Sequence, residues 1–217
     1  MAKAEKKGSK TIVSAEKIWE HIRCRWDLWF LGIVLLIFNF PLFLNHNTDS
    51  WAFYPTLVEQ GKWWLIITSQ LTHITRYHFL LDGIPFFLIY CTLEEKKPLR
   101  RFLYVIFAGI GSTVAATLFS PDIVKYGLRG LSGITYGVMA ISAMEIAFNQ
   151  HDKKNRRVLG GVILLLLVSM ITWELLTGKF PFEFLLFNMV GKPILVCHAG
   201  GLIGALIGYL MLRIWRM

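Results

Sequence analysis

The stretch Gly130-Leu131-Ser132-Gly133-Ile134-Thr135-Tyr136-Gly137 opens an apolar segment that runs to Phe148. It places the hydroxyl group of Ser132 at the start of this segment, with two glycines, Gly133 and Gly137, four residues apart behind it. Helices in membranes use small residues at this spacing to approach one another closely. The stretch therefore predicts a packed apolar helix with a polar group near one end.

The composition of the whole chain is typical of a membrane protein. Of its 217 residues, 55% are hydrophobic, the mean hydropathy is +0.52, and the apolar residues form long runs. The formal net charge of +9 does not indicate a nucleic-acid partner, because the charges are confined to short connections between the apolar runs. The cysteines, Cys24, Cys91 and Cys197, lie in unrelated contexts, so they predict no disulfide framework and no metal site.

The apolar runs predict an all-α, polytopic membrane protein with six transmembrane helices in one bundle. The second run is short and contains Asp82 and Pro85, so its hydropathy alone is weak. Residues 1–27 are expected to form a basic cytoplasmic N-terminal segment, and residues 28–217 the six-helix domain. The six predicted segments are Leu28–Leu44, Phe79–Leu93, Phe102–Phe119, Leu131–Phe148, Val158–Trp173 and Ile194–Ile214.

The distribution of Lys and Arg predicts the orientation of the bundle. Of the 23 such residues, 17 fall on one side of the predicted helices and 6 on the other. The larger group should be cytoplasmic, since basic residues accumulate on that side. Both termini are then inside, and the connection Asn45–Thr72 is outside. That connection is rich in tryptophan, which favours the membrane interface.

Three of the predicted helices begin on the outer side with polar residues, which are costly within a membrane and are usually functional there. Ser132 begins the fourth segment, His198 lies near the start of the sixth, and the start of the second is marked by His73, His78 and Asp82. Each has an ordinary interpretation when taken alone. A serine hydroxyl can bond to the preceding turn, and a histidine near the interface can extend to water. Their shared depth favours a common site.

The small residues after His198 indicate how it would meet Ser132. They should pack the sixth helix against the fourth, although such faces also serve dimerisation or general packing. A serine needs an adjacent base to become a nucleophile, and histidine is the usual one. Tyr136, one turn after Ser132, is placed to pack on the imidazole. No Asp or Glu is identified in a position to orient His198. The small-residue face comprises Gly200, Gly201, Gly204, Ala205 and Gly208.

His78 and Asp82 are one turn apart and should share a face beside Ser132. Acyl transfer requires hydrogen-bond donors aimed at the developing oxyanion, and His78 and the backbone N–H of Ser132 can supply two. Asp82 has two alternative states. A neutral carboxylic acid would donate a further hydrogen bond, whereas an ionised carboxylate would pair with protonated His78. The sequence leaves both states open.

Together these motifs resemble the rhomboid family of intramembrane serine proteases, from about Trp51 to the C-terminus. Two details depart from the family's pattern. Ala205 stands where the family often has glycine, and the Trp-Arg of the first loop is missing because Leu65 follows Trp64. The matching positions are Gly130, Ser132 and Gly133 of a GxSG motif, followed by Tyr136 and Gly137; His198 and Gly201 in the sixth helix; His73 and His78 in the second; and Glu94 at the cytoplasmic end of the second.

The resemblance implies roles for individual residues. Ser132 would be the nucleophile and His198 the general base, a dyad with no third acid. His78, position 82 and the backbone of Ser132 would form the oxyanion hole. Asp82 is a departure here, since the family usually has asparagine. The stretches 61–73 and 126–133 are most similar to the rhombosortase-type bacterial branch. The supporting positions are Gly130, Gly133, Tyr136 and Gly201.

The resemblance also implies a function, namely hydrolysis of peptide bonds in or next to transmembrane segments of other membrane proteins. The expected partners are a transmembrane protein substrate and the lipid bilayer, with no metal, other cofactor or nucleic acid. The expected location is the bacterial cytoplasmic membrane. One alternative, favoured by Asp82, is a catalytically inactive rhomboid-like protein that binds membrane clients. Another is a small proton-relaying transporter, but such proteins often carry inverted repeats, and none is apparent.

Overall fold

The computed structural model describes residues 25–148 and 154–214. Within these residues all regular structure is helical, apart from one isolated bridge between Phe53 and Leu128. The all-α prediction is therefore confirmed. Of the basic segment predicted for residues 1–27, residues 1–24 lie outside the described part of the chain. The α-helices are α1 (Trp26–Phe43), α2 (Pro55–Glu59), α3 (Leu65–Thr68), α4 (Arg76–Thr92), α5 (Pro98–Phe119), α6 (Ile123–Tyr126), α7 (Ser132–Phe148), α8 (Lys154–Thr177) and α9 (Val196–Ile214).

Each of the six predicted apolar segments coincides with one long helix, in the order α1, α4, α5, α7, α8 and α9. Helices α1, α5, α8 and α9 are long and apolar enough to cross a membrane, and α7 is a shorter apolar helix. Helix α4 has 17 residues and buries the polar residues His78 and Asp82. These helices make the chain an integral membrane protein. The number of crossings and the orientation of the termini stay predictions.

Helices α4 and α7 run in the same direction. Where they begin, Gly130 lies against the side chains of His78 and Asp82. Near their other ends, the hydroxyl oxygens of Thr92 and Ser142 are hydrogen-bonded at 2.7 Å. The polar residues at the starts of both helices therefore lie at the same end of the bundle.

The opposite end of the bundle is closed by a buried ion pair. Arg101 of α5 donates from Nε and Nη2 to the two carboxylate oxygens of Asp27 of α1, both at 2.7 Å. The hydroxyl of Tyr90, near the end of α4, donates to the same carboxylate at 2.7 Å. Bidentate Arg–carboxylate pairs are strong and geometrically specific, so this contact ties three helices together away from Ser132.

The prediction that a single glycine face packs the sixth helix against the fourth is wrong in part. Gly201 faces α7, and a Cβ atom on it would overlap the carbonyl oxygen of Gly133. Three other glycines of α9 face α5 instead. Successive residues of a helix point about 100° apart, so adjacent glycines serve different neighbours. The glycines that face α5 are Gly200, Gly204 and Gly208.

The connection between α1 and α4 packs over the end of the bundle where Ser132 lies. Its residue Phe53 exchanges two backbone hydrogen bonds, of 3.1 and 2.9 Å, with Leu128. Trp63 and Trp64 are 66% and 42% exposed. The connection thus holds the loop that precedes Ser132 and leaves two indole rings free for the interfacial contact that the sequence predicts.

Candidate active site

A cavity of about 410 Å³ opens at the end of the bundle where α4 and α7 begin. Ser132 and His198 both line it, together with His78, Asp82 and Tyr136. Most of the remaining lining residues are apolar, so a few polar groups converge in an apolar chamber, as is usual for binding sites. The structure therefore brings the five predicted side chains to one cavity.

Ser132 is the first residue of α7. The first N–H groups of a helix have no partner within the helix, and the helix dipole favours negative charge beside them. Gly130, just before, has a φ of +105°, which glycine adopts at little cost. A Cβ atom on Gly130 would lie 2.7 Å from Asp82 Oδ2 and 3.0 Å from His78 Nε2. Glycine is therefore required here both by conformation and by space.

His198 lies in the first turn of α9 and is buried. The ring of Tyr136, from α7, is stacked on its imidazole, with centroids 4.1 Å apart and planes at 3°. Phe180, in the loop before α9, approaches the imidazole from another side at 6.4 Å and 61°. The stacking sets the plane of the imidazole. Its rotation within that plane depends on a hydrogen bond to a ring nitrogen.

Glu174 of α8 makes that hydrogen bond, so the prediction that no acid orients His198 is wrong. The Glu174 side chain is 1% exposed. Its Oε2 lies 2.7 Å from His198 Nδ1, and its Oε1 accepts from the Tyr136 hydroxyl at 2.7 Å. An ionised carboxylate can only accept, so Nδ1 carries the proton and Nε2 of the neutral ring is left as an acceptor.

The sequence prediction missed Glu174 for an identifiable reason. The fifth predicted segment ends at Trp173, because a charged residue is costly in a membrane and usually marks the end of an apolar run. Helix α8 instead continues to Thr177. A signal was present, since Leu175 and Leu176 carry the apolar pattern past Glu174. An acid followed by further apolar residues favours a buried group with a partner.

Ser132 and His198 share the cavity, but among the described residues no hydrogen bond joins Ser132 Oγ to the imidazole, whose Nδ1 is bonded to Glu174. The contact predicted between them, on the order of 3 Å, is therefore not formed in this structure. Catalytic hydrogen bonds are often long until a substrate binds. The nitrogen that such a bond needs, Nε2, is the one that Glu174 leaves without a proton.

On the other side of the cavity, two histidines face the carboxylate of Asp82. Its Oδ2 lies 3.3 Å from His78 Nε2 and 3.6 Å from His73 Nε2. These are ion-pair distances, but Oδ2 makes no well-directed hydrogen bond. His73 is fully buried, and its Nδ1 lies 2.9 Å from Oδ1 of Asn39 in α1. His73 was among the polar residues predicted at the start of the second segment, whereas Asn39 was not predicted.

Asn39 determines which nitrogen of His73 carries a proton. Its Nδ2 donates to the carbonyl oxygens of Leu35 and Leu71, both at 2.7 Å, so its Oδ1 must accept from His73 Nδ1. In a neutral His73 with its proton on Nδ1, Nε2 has none. It would then face an oxygen of the ionised Asp82 carboxylate, and both atoms would be hydrogen-bond acceptors. One proton, on His73 Nε2 or on Asp82, resolves this conflict. His78 Nε2 lies nearer to Asp82 Oδ2, at 3.3 Å, than His73 Nε2 does, at 3.6 Å, so the geometry leaves both states of Asp82 open.

The loop between α8 and α9 forms part of the cavity wall and is fastened at three points, one of them where Thr75 Oγ1 donates to the carbonyl oxygen of Met189 at 2.8 Å. The Tyr77 hydroxyl, at the start of α4, donates to the carbonyl oxygen of Leu185 at 2.6 Å. Lys192 Nζ lies 2.7 Å from Asp122 Oδ2, and this hydrogen bond raises the pKa of the Lys192 ammonium. The loop therefore lies across the cavity as a tethered wall.

The fold and the cavity together define a class, an all-α integral membrane protein with a serine, a histidine and further polar side chains converging in a buried chamber. No group of three or more His, Cys, Asp or Glu side chains is arranged to hold a metal ion within the described part of the chain. The family model described as the Rhomboid domain matches residues 60–216, which include all of these side chains. The chain belongs to the rhomboid family, as the resemblance predicted.

Curated relatives agree with the family match. The chain is 25% identical to the rhomboid protease GluP of Bacillus subtilis (strain 168) over 183 residues, which are 81% of this chain and 32% of GluP. It is 28% identical to rhomboid-like protease 1 of Toxoplasma gondii over 130 residues, which are 58% of this chain and 43% of that protein. The chain thus spans less than half the length of these relatives. No solved structure matches it significantly.

The relatives are named as proteases, which supports membership of a serine protease family. They carry no information on the rhombosortase-type branch, which stays a prediction. The roles of Ser132, His198, His78 and Asp82 also stay predictions, now with a geometry on which to argue them.

Proposed function

We propose that the protein is an intramembrane serine protease that hydrolyses peptide bonds in or next to transmembrane segments of other membrane proteins. The observation that carries the proposal is the state of His198. Its Nδ1 is held by Glu174 at 2.7 Å, which leaves Nε2 as an acceptor, and Ser132 lines the same cavity. The family match and the relatives named as proteases support the same activity.

In the first half of the reaction, Ser132 Oγ attacks the scissile carbonyl carbon and His198 Nε2 takes the hydroxyl proton. The electron pair of the C=O bond moves to the oxygen, which becomes the oxyanion. When the tetrahedral intermediate collapses, the C–N bond breaks and His198 gives the proton to the leaving amine. Water then attacks the acyl-enzyme by the same route, which releases the carboxylic acid and restores Ser132.

The oxyanion would be stabilised at the start of α7. The N–H of Ser132 is a free helix donor there, and His78 lines the cavity nearby. An ionised Asp82 would oppose the oxyanion, because the two negative charges repel each other. A proton on Asp82 or on His73 would reduce this repulsion. The departure from asparagine at this position is therefore compatible with an oxyanion hole.

The chemistry of the cavity wall indicates the class of substrate. Apolar side chains such as Phe182, Leu185 and Val190 line it, and they suit the apolar side chains of a transmembrane segment. The scissile stretch has to be extended, since helical hydrogen bonding occupies the carbonyl oxygen that the reaction must reach. A transmembrane protein and the surrounding bilayer are therefore the proposed partners.

We also propose a location in the bacterial cytoplasmic membrane, with both termini in the cytoplasm and the cavity open to the outside. The support is the distribution of basic residues, 17 against 6, since Lys and Arg accumulate in cytoplasmic connections.

Labelling with a fluorophosphonate probe tests the nucleophile. We expect the wild-type protein in detergent micelles to be labelled and Ser132→Ala to lose the label. Replacing His198 with alanine should slow labelling on the order of 10²- to 10⁴-fold, because the general base is lost. Cys91→Ser is the control, since this thiol is exposed near the end of α4 that is far from Ser132.

Undiminished labelling of Ser132→Ala would refute the proposed nucleophile. A folded wild-type protein that takes no label but binds transmembrane peptides would favour the inactive, client-binding alternative. Cleavage of a transmembrane reporter protein in lipid vesicles, lost in Ser132→Ala, extends the test from acylation to peptide hydrolysis.

A further inference from the structure

We propose that Glu174 is a positioning residue for the reaction, which holds His198 in the tautomer that accepts the proton of Ser132. The inference rests on the proposed protease function. It adds a third residue, from a third helix, to the two-residue site that the family resemblance implies.

The contacts of Glu174 use both of its oxygens. Oε2 faces His198 Nδ1 at 2.7 Å, and Oε1 accepts from the Tyr136 hydroxyl at 2.7 Å. The carboxylate cannot rotate without breaking one of these bonds. The same tyrosine ring is stacked on the imidazole at 4.1 Å. Three side chains on α7, α8 and α9 therefore form one closed unit around the base.

This unit sets the two properties that a general base needs. The stack sets the plane of the His198 ring, and the bond from Nδ1 to Glu174 sets its rotation within that plane. Because Nδ1–H donates to the carboxylate, the lone pair must reside on Nε2. Without Glu174, the ring could carry its proton on Nε2 instead, and that tautomer cannot take a proton from Ser132.

The carboxylate also balances charge during the reaction. When the Ser132 proton moves to Nε2, His198 becomes a cation in a buried, apolar setting. The negative charge of Glu174, 2.7 Å from Nδ1, stabilises that cation, and no proton moves to Glu174 itself. The same logic explains the buried acid of soluble serine proteases, where its loss leaves the geometry intact but reduces turnover strongly.

The competing interpretation is that Glu174 only clamps α8 to its neighbours. The two interpretations predict different results for Glu174→Gln, because glutamine has the size of glutamate but no charge. A clamp needs shape and hydrogen bonds, and an amide provides both. A positioning residue needs a hydrogen-bond acceptor opposite His198 Nδ1 and a negative charge. A glutamine amide has no charge, and it can present its NH₂ group to Nδ1 instead of its oxygen.

The experiment is to compare Glu174→Gln with the wild-type protein in fluorophosphonate labelling and in cleavage of a transmembrane reporter. We expect the variant to fold, with a melting temperature close to that of the wild type. Its kcat should fall on the order of 10²- to 10⁴-fold, with KM changed by less than about threefold, since Glu174 is almost fully buried and so is not expected to contact the substrate. Glu174→Asp, which retains the charge, should recover part of the loss.

Glu145→Gln is the matched control. This glutamate is also buried among the helices, at 4% exposure, but it accepts from the backbone N–H of Glu94 near the end of α7 that is far from Ser132. This substitution should leave kcat unchanged. A comparable loss in Glu145→Gln would show that any buried acid matters and would overturn the specific role of Glu174.

Different results would refute the role of Glu174 and the proposed protease function. If Ser132→Ala keeps the label, the protease proposal fails first. If Ser132 and His198 are both required but Glu174→Gln reacts at the wild-type rate, only the role of Glu174 is refuted.

A second measurement covers the case in which Glu174→Gln does not fold. Nitrogen-15 NMR of histidine in the wild-type protein, with His198 assigned by comparison with His198→Ala, reports which ring nitrogen is protonated. We expect a proton on Nδ1 and none on Nε2 near neutral pH. A proton on Nε2 alone would overturn the proposal without any variant of Glu174.

Discussion

The two sides of the cavity differ in how completely their polar groups are paired. On the side of the base, Glu174, Tyr136 and His198 form hydrogen bonds of 2.7 Å in which both carboxylate oxygens are used. On the opposite side, Asp82 Oδ2 and His73 Nε2 face each other at 3.6 Å, and both lack a well-directed hydrogen bond. The carboxylate on the side of the base is fully hydrogen-bonded, whereas two polar atoms on the opposite side have no hydrogen-bond partner.

The difference fits the tasks that we propose for the two sides. A general base has to be held in one tautomer before the substrate arrives, so its network is complete beforehand. An oxyanion hole receives negative charge only during the reaction, so donors and protons there have to remain available. In the proposed mechanism the incompletely paired side would face the oxyanion, and the fully paired side would face the proton that is transferred.

The largest effect should come from separating α9, which carries the proposed base, from α7, which carries the proposed nucleophile. In Gly201→Leu the added side chain would overlap the carbonyl oxygen of Gly133, and overpacking of this kind costs about 1–3 kcal/mol or more. We expect labelling of Ser132 to be lost and the melting temperature to fall. Gly161→Leu, on α8 where a Cβ atom meets nothing within 4 Å, is the control and should change neither. Full activity in Gly201→Leu would show that this glycine does not set the distance between the helices.

An intermediate effect should come from the opposite side of the cavity. His78→Ala should lower kcat on the order of 10²- to 10³-fold, the usual loss for one oxyanion donor. For Asp82→Asn we expect activity within about tenfold of wild type, because the amide occupies the position with no negative charge.

The pH profile of the cleavage rate separates the states of Asp82. If a neutral Asp82 donates to the oxyanion in the wild-type protein, raising the pH removes its proton and leaves a negative charge beside the oxyanion, so the rate should fall. In Asp82→Asn this alkaline fall should be flatter. If Asp82 instead forms an ionised pair with protonated His78, the variant should lose stability, which parallel melting curves would detect. An unchanged profile with full activity would reject both roles.

The smallest effect should come from Tyr136→Phe, which keeps the aromatic stack on His198 but removes the hydroxyl that donates to Glu174. The bond from Glu174 to His198 persists, so the tautomer is retained. We expect kcat to fall about three- to tenfold, the equivalent of roughly 0.6–1.4 kcal/mol. Tyr209→Phe is the control, since its hydroxyl accepts from Arg213 near the end of α9. A loss as large as that of Glu174→Gln would mean that the hydroxyl, and not the carboxylate, dominates the unit.

The sequence alone determined the features that are local to one helix. Long apolar runs must form helices in a membrane because no water is present to satisfy the backbone, so the six helices could be predicted to within a few residues. The serine at the start of α7, the histidine near the start of α9 and the tyrosine one turn after Ser132 follow from spacing along the chain.

Only the tertiary structure decided which helix each small or polar residue faces. Gly200 and Gly201 are neighbours in sequence, yet the first packs on α5 and the second on α7. Hydropathy places Glu174 at the edge of a span and Asn39 inside one, but their partners lie 24 and 34 residues away, on other helices. Such contacts depend on the rotation of each helix about its axis, which results from the packing of all its neighbours at once. The residues that the sequence analysis missed are therefore those whose partners lie across the bundle.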